Sequence, residues 1–448
     1  MKIKNWFFYA CLASCISLGT ISCGDDDPIE EDTPGNNDNG NNNENGNENE
    51  NDKVPDTPDG VLSIAEQQQK LEDVSVKFLE YVDAENFSSI DRLVEYTITE
   101  YVDHYNTNNV SKWFEECLDA ATSQVTQANS RGYVYNNYAR VFKLSNFTGH
   151  FTAKNDSWVY TPANDLKFYF NDQYGKPCEL SVTYKGEGKK VYAGYDEEWE
   201  WDYGYTDYII NCYDQYVYVP EETIVTLLQD GEVLVKAVVK ADLSSMQDVE
   251  FQLDRDNYNA TAEAYVKDYI FKIEQANYKA NIGAIVQTSL SKGKEQLVYA
   301  KASYDGKIGE YEEDIDVKKV NLEVNIMNQI QVKGDIDDWN KFYNNMEQAD
   351  TNWDNENNFK SYLNNANDLL SAYLYFNTDT KQAQFKLIPV SDSYYGGEEW
   401  YAEPAIFFKD GTSYNTFEVF FNEKDFAKLI RVFNNFVEGF NQFGNYQQ

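Results

Sequence analysis

The sequence predicts an α+β protein, with N-terminal amphipathic helices, a central and largely antiparallel β region, and C-terminal helices among short strands. Three observations predict it. Apolar residues recur at three and four from Leu71 to Val125, the period changes to two after Arg131, and the helical period returns after Asp337. A helix buries one stripe and a half-buried strand one alternate set, so the period of the apolar residues names the element.

The body divides into a helical segment (61–132), a β-rich region (133–335) and an α+β segment packing on it (336–448). Leu71, Val74, Phe78 and Val82 form the first helical stripe. A second runs from Ile90 through Leu93, Val94, Thr97 and Ile98 to Tyr101, and a third joins Trp113, Phe114, Cys117, Leu118, Ala121 and Val125. Such stripes need an apolar surface to pack on.

Strands follow where polar and apolar residues alternate. Phe168 and Phe170 alternate with Lys167 and Tyr169; Tyr269, Phe271 and Ile273 with Lys272 and Glu274. The clearest case sets Val320, Leu322, Val324 and Ile326 against Asn321, Glu323 and Asn325. Turns are expected at Asp230-Gly231, Lys292-Gly293 and Asp305-Gly306. "LQDGEVLVKA" (Leu228–Ala237) and "LSKGKEQLVYA" (Leu290–Ala300) look alike with one residue inserted, which either a repeated hairpin or ordinary turn chemistry explains. Toward the C-terminus, a helix is expected through Phe359, Tyr362, Leu363, Ala366, Leu369 and Leu370. Short strands are expected at Tyr373–Phe376, Gln384–Ile388 and Phe417–Phe421. A last helix carries Phe426, Leu429, Ile430, Phe433, Phe436, Val437 and Phe440.

Of the 448 residues, 76 are acidic and 37 basic, a net charge of −39. A body so acidic repels phosphate backbones and gains nothing from counterion release, so nucleic acid is not an expected partner.

The N-terminus reads as an address. Lys2 and Lys4 precede an apolar run, Trp6–Ile21, that is shorter than the ~20 residues a bilayer-spanning helix needs. The run fits the apolar part of a secretory signal. With "TISC" (Thr20–Cys23) at its end it resembles a bacterial lipoprotein signal, although the usual leucine three places before the cysteine is missing. "LASC" (Leu12–Cys15) matches better by letter but leaves too short an apolar run. The carboxylates in "CGDDDPIEED" then look like the surface-export signal of Bacteroidetes lipoproteins. The resemblance implies a signal peptide (1–22), acylation of Cys23 with a palmitate-type chain, and Asp25, Asp26 and Asp27 as the export signal. It covers only the first thirty or so residues and says nothing of the fold. From 24 to 60 the sequence is acidic, Asn/Gly-rich and almost free of apolar residues, so residues 23–60 are expected to form an acylated, disordered tether reaching roughly 30–35 Å. The expected place is the outer membrane, lipid-anchored and facing the cell exterior.

Few residues carry recognisable chemistry. His104 and His150 stand alone, with no HExxH, CxxC or P-loop. Cys117 reads as a core residue, and Cys178 and Cys212 as a pair that an oxidising compartment could bridge. "DTNWDNENNFKS" (Asp350–Ser361) and "DRDNYNATAE" (Asp254–Glu263) lack the glycine and terminal glutamate of an EF-hand loop and read as turns. No spacing singles out a carboxylate pair for glycoside hydrolysis. No enzyme activity, metal or cofactor is therefore expected.

One stretch raises a specific question. In "YDEEWEWDYGYTDY" (Tyr195–Tyr208), Trp199, Trp201, Tyr203 and Tyr205 stand at period two with Glu198, Glu200 and Asp202 between them; "YYGGEEWYAEP" (Tyr394–Pro404) repeats the pattern around Trp400. The ladder is the buried face of an edge strand, a platform on which sugar rings stack while Glu198 and Glu200 accept from hydroxyls, or a surface for a partner protein. The expected function is non-catalytic binding, with surface glycan the first class to test. The competing class is a structural or adhesion lipoprotein, or an accessory subunit bound to an outer-membrane protein. A lipid carrier with an apolar cavity is a third reading.

Overall fold

A computed structural model describes residues 60–82, 123–128, 134–154, 157–172, 174–202, 207–308, 316–377, 379–394, 397–408, 413–422 and 424–444. It is dominated by β-sheet with a few helices, an α+β arrangement in the broad sense.

The first element is helix α1 (Ile64–Tyr81). Ser63 starts it with a capping box: its hydroxyl accepts from the Glu66 N–H, and the Glu66 carboxylate accepts from the Ser63 N–H at 2.8 Å. The predicted stripe is buried at Leu71 and Val74. The second and third predicted helices, with His104 and Cys117, fall outside the described residues, except that Val125 lies on a strand.

Two sheets follow. The smaller contains β1 (Ser123–Ala128), β2 (Val134–Phe142), β7 (Lys189–Asp202) and β8 (Asp207–Val219), in the order β1-β2-β8-β7 with β2 and β8 parallel. The larger has sixteen strands. Its first part holds β3 (Gly149–Lys154), β4 (Ser157–Thr161), β5 (Leu166–Asn171), β6 (Pro177–Lys185), β9 (Glu222–Gln229) and β10 (Glu232–Asp242). The middle holds β11 (Tyr258–Val266), β12 (Tyr269–Lys279), β13 (Gly283–Lys292), β14 (Glu295–Lys307) and β15 (Asp316–Ile326). The far end holds β16 (Ile330–Ile336), β17 (Leu370–Tyr375), β18 (Ala383–Tyr394), β19 (Gly397–Phe407) and β20 (Tyr414–Thr416). From β9 to β20 every strand pairs antiparallel with the next. At ~4.8 Å per strand the sheet extends on the order of 70 Å.

Three sequence expectations change here. The sheet crosses the expected boundary at 335/336 without a break, because β16 pairs with β17 across helices α2 (Trp339–Thr351) and α3 (Glu356–Asn367). Phe417–Phe420 is a helical turn, α4, rather than a strand: Thr416 caps it by accepting from the Val419 N–H. Asp305-Gly306 lies inside β14 and is not a turn; it faces a bulge in β15, where Lys318 is the extra residue, and Gly306 has φ 137°, so that a Cβ there would lie 2.2 Å from the Asp316 carbonyl oxygen. Asp230-Gly231 does form the β9–β10 turn.

The two similar segments are both hairpins. In each, an extra leucine bulges from the second strand: Leu234 between Val233 and Val235, and Leu297 between Gln296 and Val298. Both leucines are buried. Leu227 pairs with Val235 as Leu290 pairs with Val298, so the two hairpins match with no insertion, one residue out of step with the letters.

The large sheet has unlike faces. One row runs Val225, Ala237, Ala264, Phe271, Leu290, Val298, Ile326, Ile330 across eight strands and defines an apolar face. The opposite face carries Glu263, Lys272, Ser289, Tyr299, Asn325, Gln331 and Tyr375 in one row. The apolar face is covered at its ends. Leu71 and Val74 of α1 join Tyr269, Leu297, Ile330, Leu374, Ile406 and Phe420 in one core; Phe151, Trp158, Phe170 and Leu227 form a second; Phe359 and Leu363 of α3 pack with Ala349 in a third. Between them Val239 and Phe271 stay about half exposed. The small sheet is tied on where the Tyr192 N–H donates to Val249 O at 2.7 Å and Lys189 Nζ to Met246 O.

A final helix, α5 (Ala427–Gly444), packs on α1. Among the described residues no helix is long and apolar enough to cross a membrane.

Candidate functional site

The aromatic ladder lies on the β7–β8 hairpin. The register sets Trp199 opposite Ile210 and Trp201 opposite Tyr208, while Glu198 stands opposite Asn211 and Glu200 opposite Ile209. Since a strand alternates its faces, the tryptophans share one face with Ile210 and Cys212, and Glu198 and Glu200 belong to the other. The side chains of Glu198, Trp199, Glu200 and Trp201 lie outside the described residues. Glu197 and Asp214 are acids of the face that carries Ile210 and Cys212, and the Glu197 carboxylate accepts from the exposed Tyr195 hydroxyl at 2.8 Å. Hydrogen bonding to Cys212, then to Glu197, holds the Tyr195 phenol above its ordinary range. Ile210 and Cys212 are buried on β8. Tyr203 and Tyr205 lie outside the described residues, as do Cys23 and Asp25, Asp26 and Asp27.

Whereas the β7–β8 hairpin belongs to the small sheet, Trp400 belongs to the large one. It sits on β19 opposite Ser391, half-buried against the core under α3, with its ring 6.5 Å from Phe359 and Lys360 Nζ 4.5 Å from its centroid.

Cys178 and Cys212 are both free and buried, on β6 and β8 of different sheets, so the expected bridge is not formed. Burial pushes the Cys178 thiol up to about 11. His150 Nε2 lies 2.7 Å from Asp165 Oδ1, and this bond holds the Asp165 carboxyl below its usual range. "DTNWDNENNFKS" is the α2–α3 turn, with Asn355 capping α3, and Asp256 of the other acidic stretch is bound by Arg255. Among the described residues no three His, Cys, Asp or Glu side chains converge as a metal site.

The arrangement with the most chemistry is one that sequence reasoning missed, a shallow groove of about 490 Å³ on the polar face across β9, β10 and β11. Its floor is Ile224 and Val238, cross-strand neighbours, and Tyr265, which stands opposite Lys236. Glu263 is two residues before Tyr265 and so on the same face; its carboxylate accepts a short hydrogen bond from the Tyr265 hydroxyl. Lys272 Nζ donates to the other oxygen of Glu263 at 3.1 Å. These two bonds, the tyrosine's first, hold the Glu263 carboxyl below its usual range, and the same carboxylate raises both Tyr265 and Lys272. At one end Lys240 meets Glu222 at 3.2 Å; at the other, Lys236 has Thr226 and Tyr265 as its cross-strand neighbours and no carboxylate directly opposite. The signal was present in "TAEAYV" (Thr261–Val266), where an acid and an aromatic residue alternate with alanine at i and i+2, the spacing that shares a face.

Comparison with family models, with curated proteins and with solved structures returns no match to this chain.

Proposed function

We propose that this chain is a non-catalytic, acyl-anchored protein of the outer-membrane surface that binds glycan through the polar face of its large sheet. One observation carries the binding reading: on an open sheet face, an aromatic ring, an apolar floor and hydrogen-bonding charges meet in one groove at Tyr265, Ile224, Val238, Glu263, Lys236 and Lys240. Sugars present C–H-rich ring faces that suit an aromatic and aliphatic floor, and hydroxyls that suit fixed charges around it. Glu263 orients the Tyr265 ring by its hydrogen bond, which reduces the ordering cost of binding. The anchor rests on Cys23 and the acids after it. Two acyl chains hold where one gives marginal binding.

The competing reading, a structural or accessory lipoprotein, is favoured by two observations: Ile210 and Cys212 are buried on β8 of the ladder hairpin, and Trp400 is packed against α3. The two readings separate in one experiment on the intact protein. Polysaccharide binding that is lost in Tyr265→Ala and kept in Trp400→Phe supports the groove; no response to any polysaccharide refutes glycan binding. For the anchor, Cys23→Ala is expected to abolish acyl labelling while Cys15→Ala does not. Replacing Asp25, Asp26 and Asp27 by alanine should leave a lipidated protein shielded from protease added to whole cells. Unchanged surface cleavage would overturn the export signal.

A further inference from the structure

We infer that the ligand of the polar-face groove is an acidic polysaccharide, a chain of pyranose rings carrying carboxylates at intervals; this rests on the glycan reading above and names its class. The groove lining sets Lys236 and Lys240 against Glu222 and Glu263, and Lys236 is the lysine with no carboxylate directly opposite it, in a chain of net charge −39. Lys236 and Lys240 lie four residues apart on β10, hence on one face and about 14 Å apart along the strand. Between them Val238, with Ile224 beside it, supplies an apolar floor, and Tyr265 adds an aromatic surface next to Lys236. Along β10 itself the order is cation, apolar surface, cation, with Glu263 opposite Val238 and Glu222 opposite Lys240 on the flanking strands. A short oligosaccharide with carboxylates on separated rings has that order. Both lysines are exposed, so their ammonium groups reach such carboxylates without a desolvation cost to the fold.

Other anionic ligands fit less well. An acidic peptide bound as an added strand needs a free sheet edge, and here the backbone of β10 is paired on both sides, with β9 and with β11. Only side chains are left to recognise the ligand, which favours a molecule with flat C–H faces over an extended peptide. A densely charged polyanion would meet the repulsion of the whole acidic body, whereas one carboxylate per ring or two keeps the local attraction and limits that repulsion. Lys272 is already held by Glu263, and Lys240 shares its charge with Glu222, so Lys236 carries most of the preference.

The test is affinity electrophoresis of the intact chain in mild detergent, in gels containing polygalacturonate, alginate, a neutral glucan, or poly-glutamate. Retardation is expected by a uronate polymer, weakened at least tenfold in Lys236→Ala, abolished in Lys236→Glu and largely kept in Lys236→Arg. Because the side chain is exposed, these variants should keep the native circular dichroism spectrum. Retardation by the neutral glucan alone, unaltered by the lysine variants, would overturn the acidic class and leave glycan binding standing. Retardation by none of the polysaccharides would overturn both. Equal retardation by poly-glutamate would show that charge alone is read and would overturn the sugar class.

Discussion

Glu72 closes the two ends of the fold on each other. It is 7% exposed on α1, and its Oε1 accepts from the backbone N–H groups of Lys428 at 2.8 Å and Leu429 at 3.1 Å. Those N–H groups begin α5 and have no acceptor inside that helix. The carboxylate thus acts as an N-terminal cap supplied from the opposite end of the chain, and its negative charge suits the positive end of the helix dipole. Beside it, Gln68 Nε2 donates to Phe420 O at 2.8 Å, so one helix holds two C-terminal segments. Losing a cap costs about 0.5–2 kcal/mol, and a charge-assisted hydrogen bond about 1.5–3 kcal/mol. The two bonds share one oxygen and do not add, so Glu72→Ala is expected to cost roughly 2–3 kcal/mol. Glu72→Gln keeps an acceptor and loses the charge, for about 1 kcal/mol. Amide hydrogen exchange of Lys428 and Leu429 reads this directly. At about 1.4 kcal/mol per factor of ten, it should speed up roughly 30- to 150-fold in the alanine variant and about fivefold in the glutamine variant. Lys77→Ala, on the same helix, removes a 3.9 Å surface pair with Glu295 of β14 and a contact with the Tyr81 ring, and should leave both amides unchanged. Equal protection in wild type and Glu72→Ala would refute the clamp.

Three other outcomes are expected. Gly306→Ala forces a Cβ against the Asp316 carbonyl at a φ of 137° and should cost on the order of 2–3 kcal/mol in thermal unfolding; Gly231→Ala, with φ 81° and nothing within 4 Å, should cost less. Equal losses would mean that backbone strain, not the close approach at the bulge, sets the cost. Burial holds the Cys178 thiol at about 11, so iodoacetamide at pH 8 should modify it only after denaturation, and rapid native labelling seen by peptide mass spectrometry would contradict its burial. The Tyr265 hydrogen bond, more than Lys272, depresses Glu263, so this group adds stability above its unfolded value near 4.5 and loses it as pH falls through the lower folded value. The gain is small because the pair is half exposed. Tyr265→Phe should raise the Glu263 titration midpoint measured by carboxyl NMR, and an unmoved midpoint would rule out the assigned cause.

What could be read from the sequence was local, and what could not depended on pairing. The alternation at Val320–Ile326 gives β15 because one face of that strand meets a core, at Val324 above all, while its other face carries Asn321, Glu323 and Asn325. The α1 stripe is equally local, and its capping box is spelled out by Ser63 and Glu66. Phe417–Phe420 misleads because its aromatics favour a strand; a Thr416 side chain closing on Val419 decides for a helical turn. Asp305-Gly306 misleads for a related reason: glycine's permissive backbone serves a strand facing a bulge as well as a turn, and only the approach of Asp316 from the neighbouring strand distinguishes them. The same limit governs the sites. Period two shows that Trp199 and Trp201 share a face, and it equally shows that Glu198 and Glu200 do not share it with them. The groove follows the i, i+2 rule at Glu263 and Tyr265, but it needs Lys236 and Ile224 from β10 and β9, placed there by a register that no single segment encodes. That register is itself set by the bulge at Leu234, which keeps Val235, Ala237 and Val239 on the apolar face and so leaves Lys236, Val238 and Lys240 for the polar one.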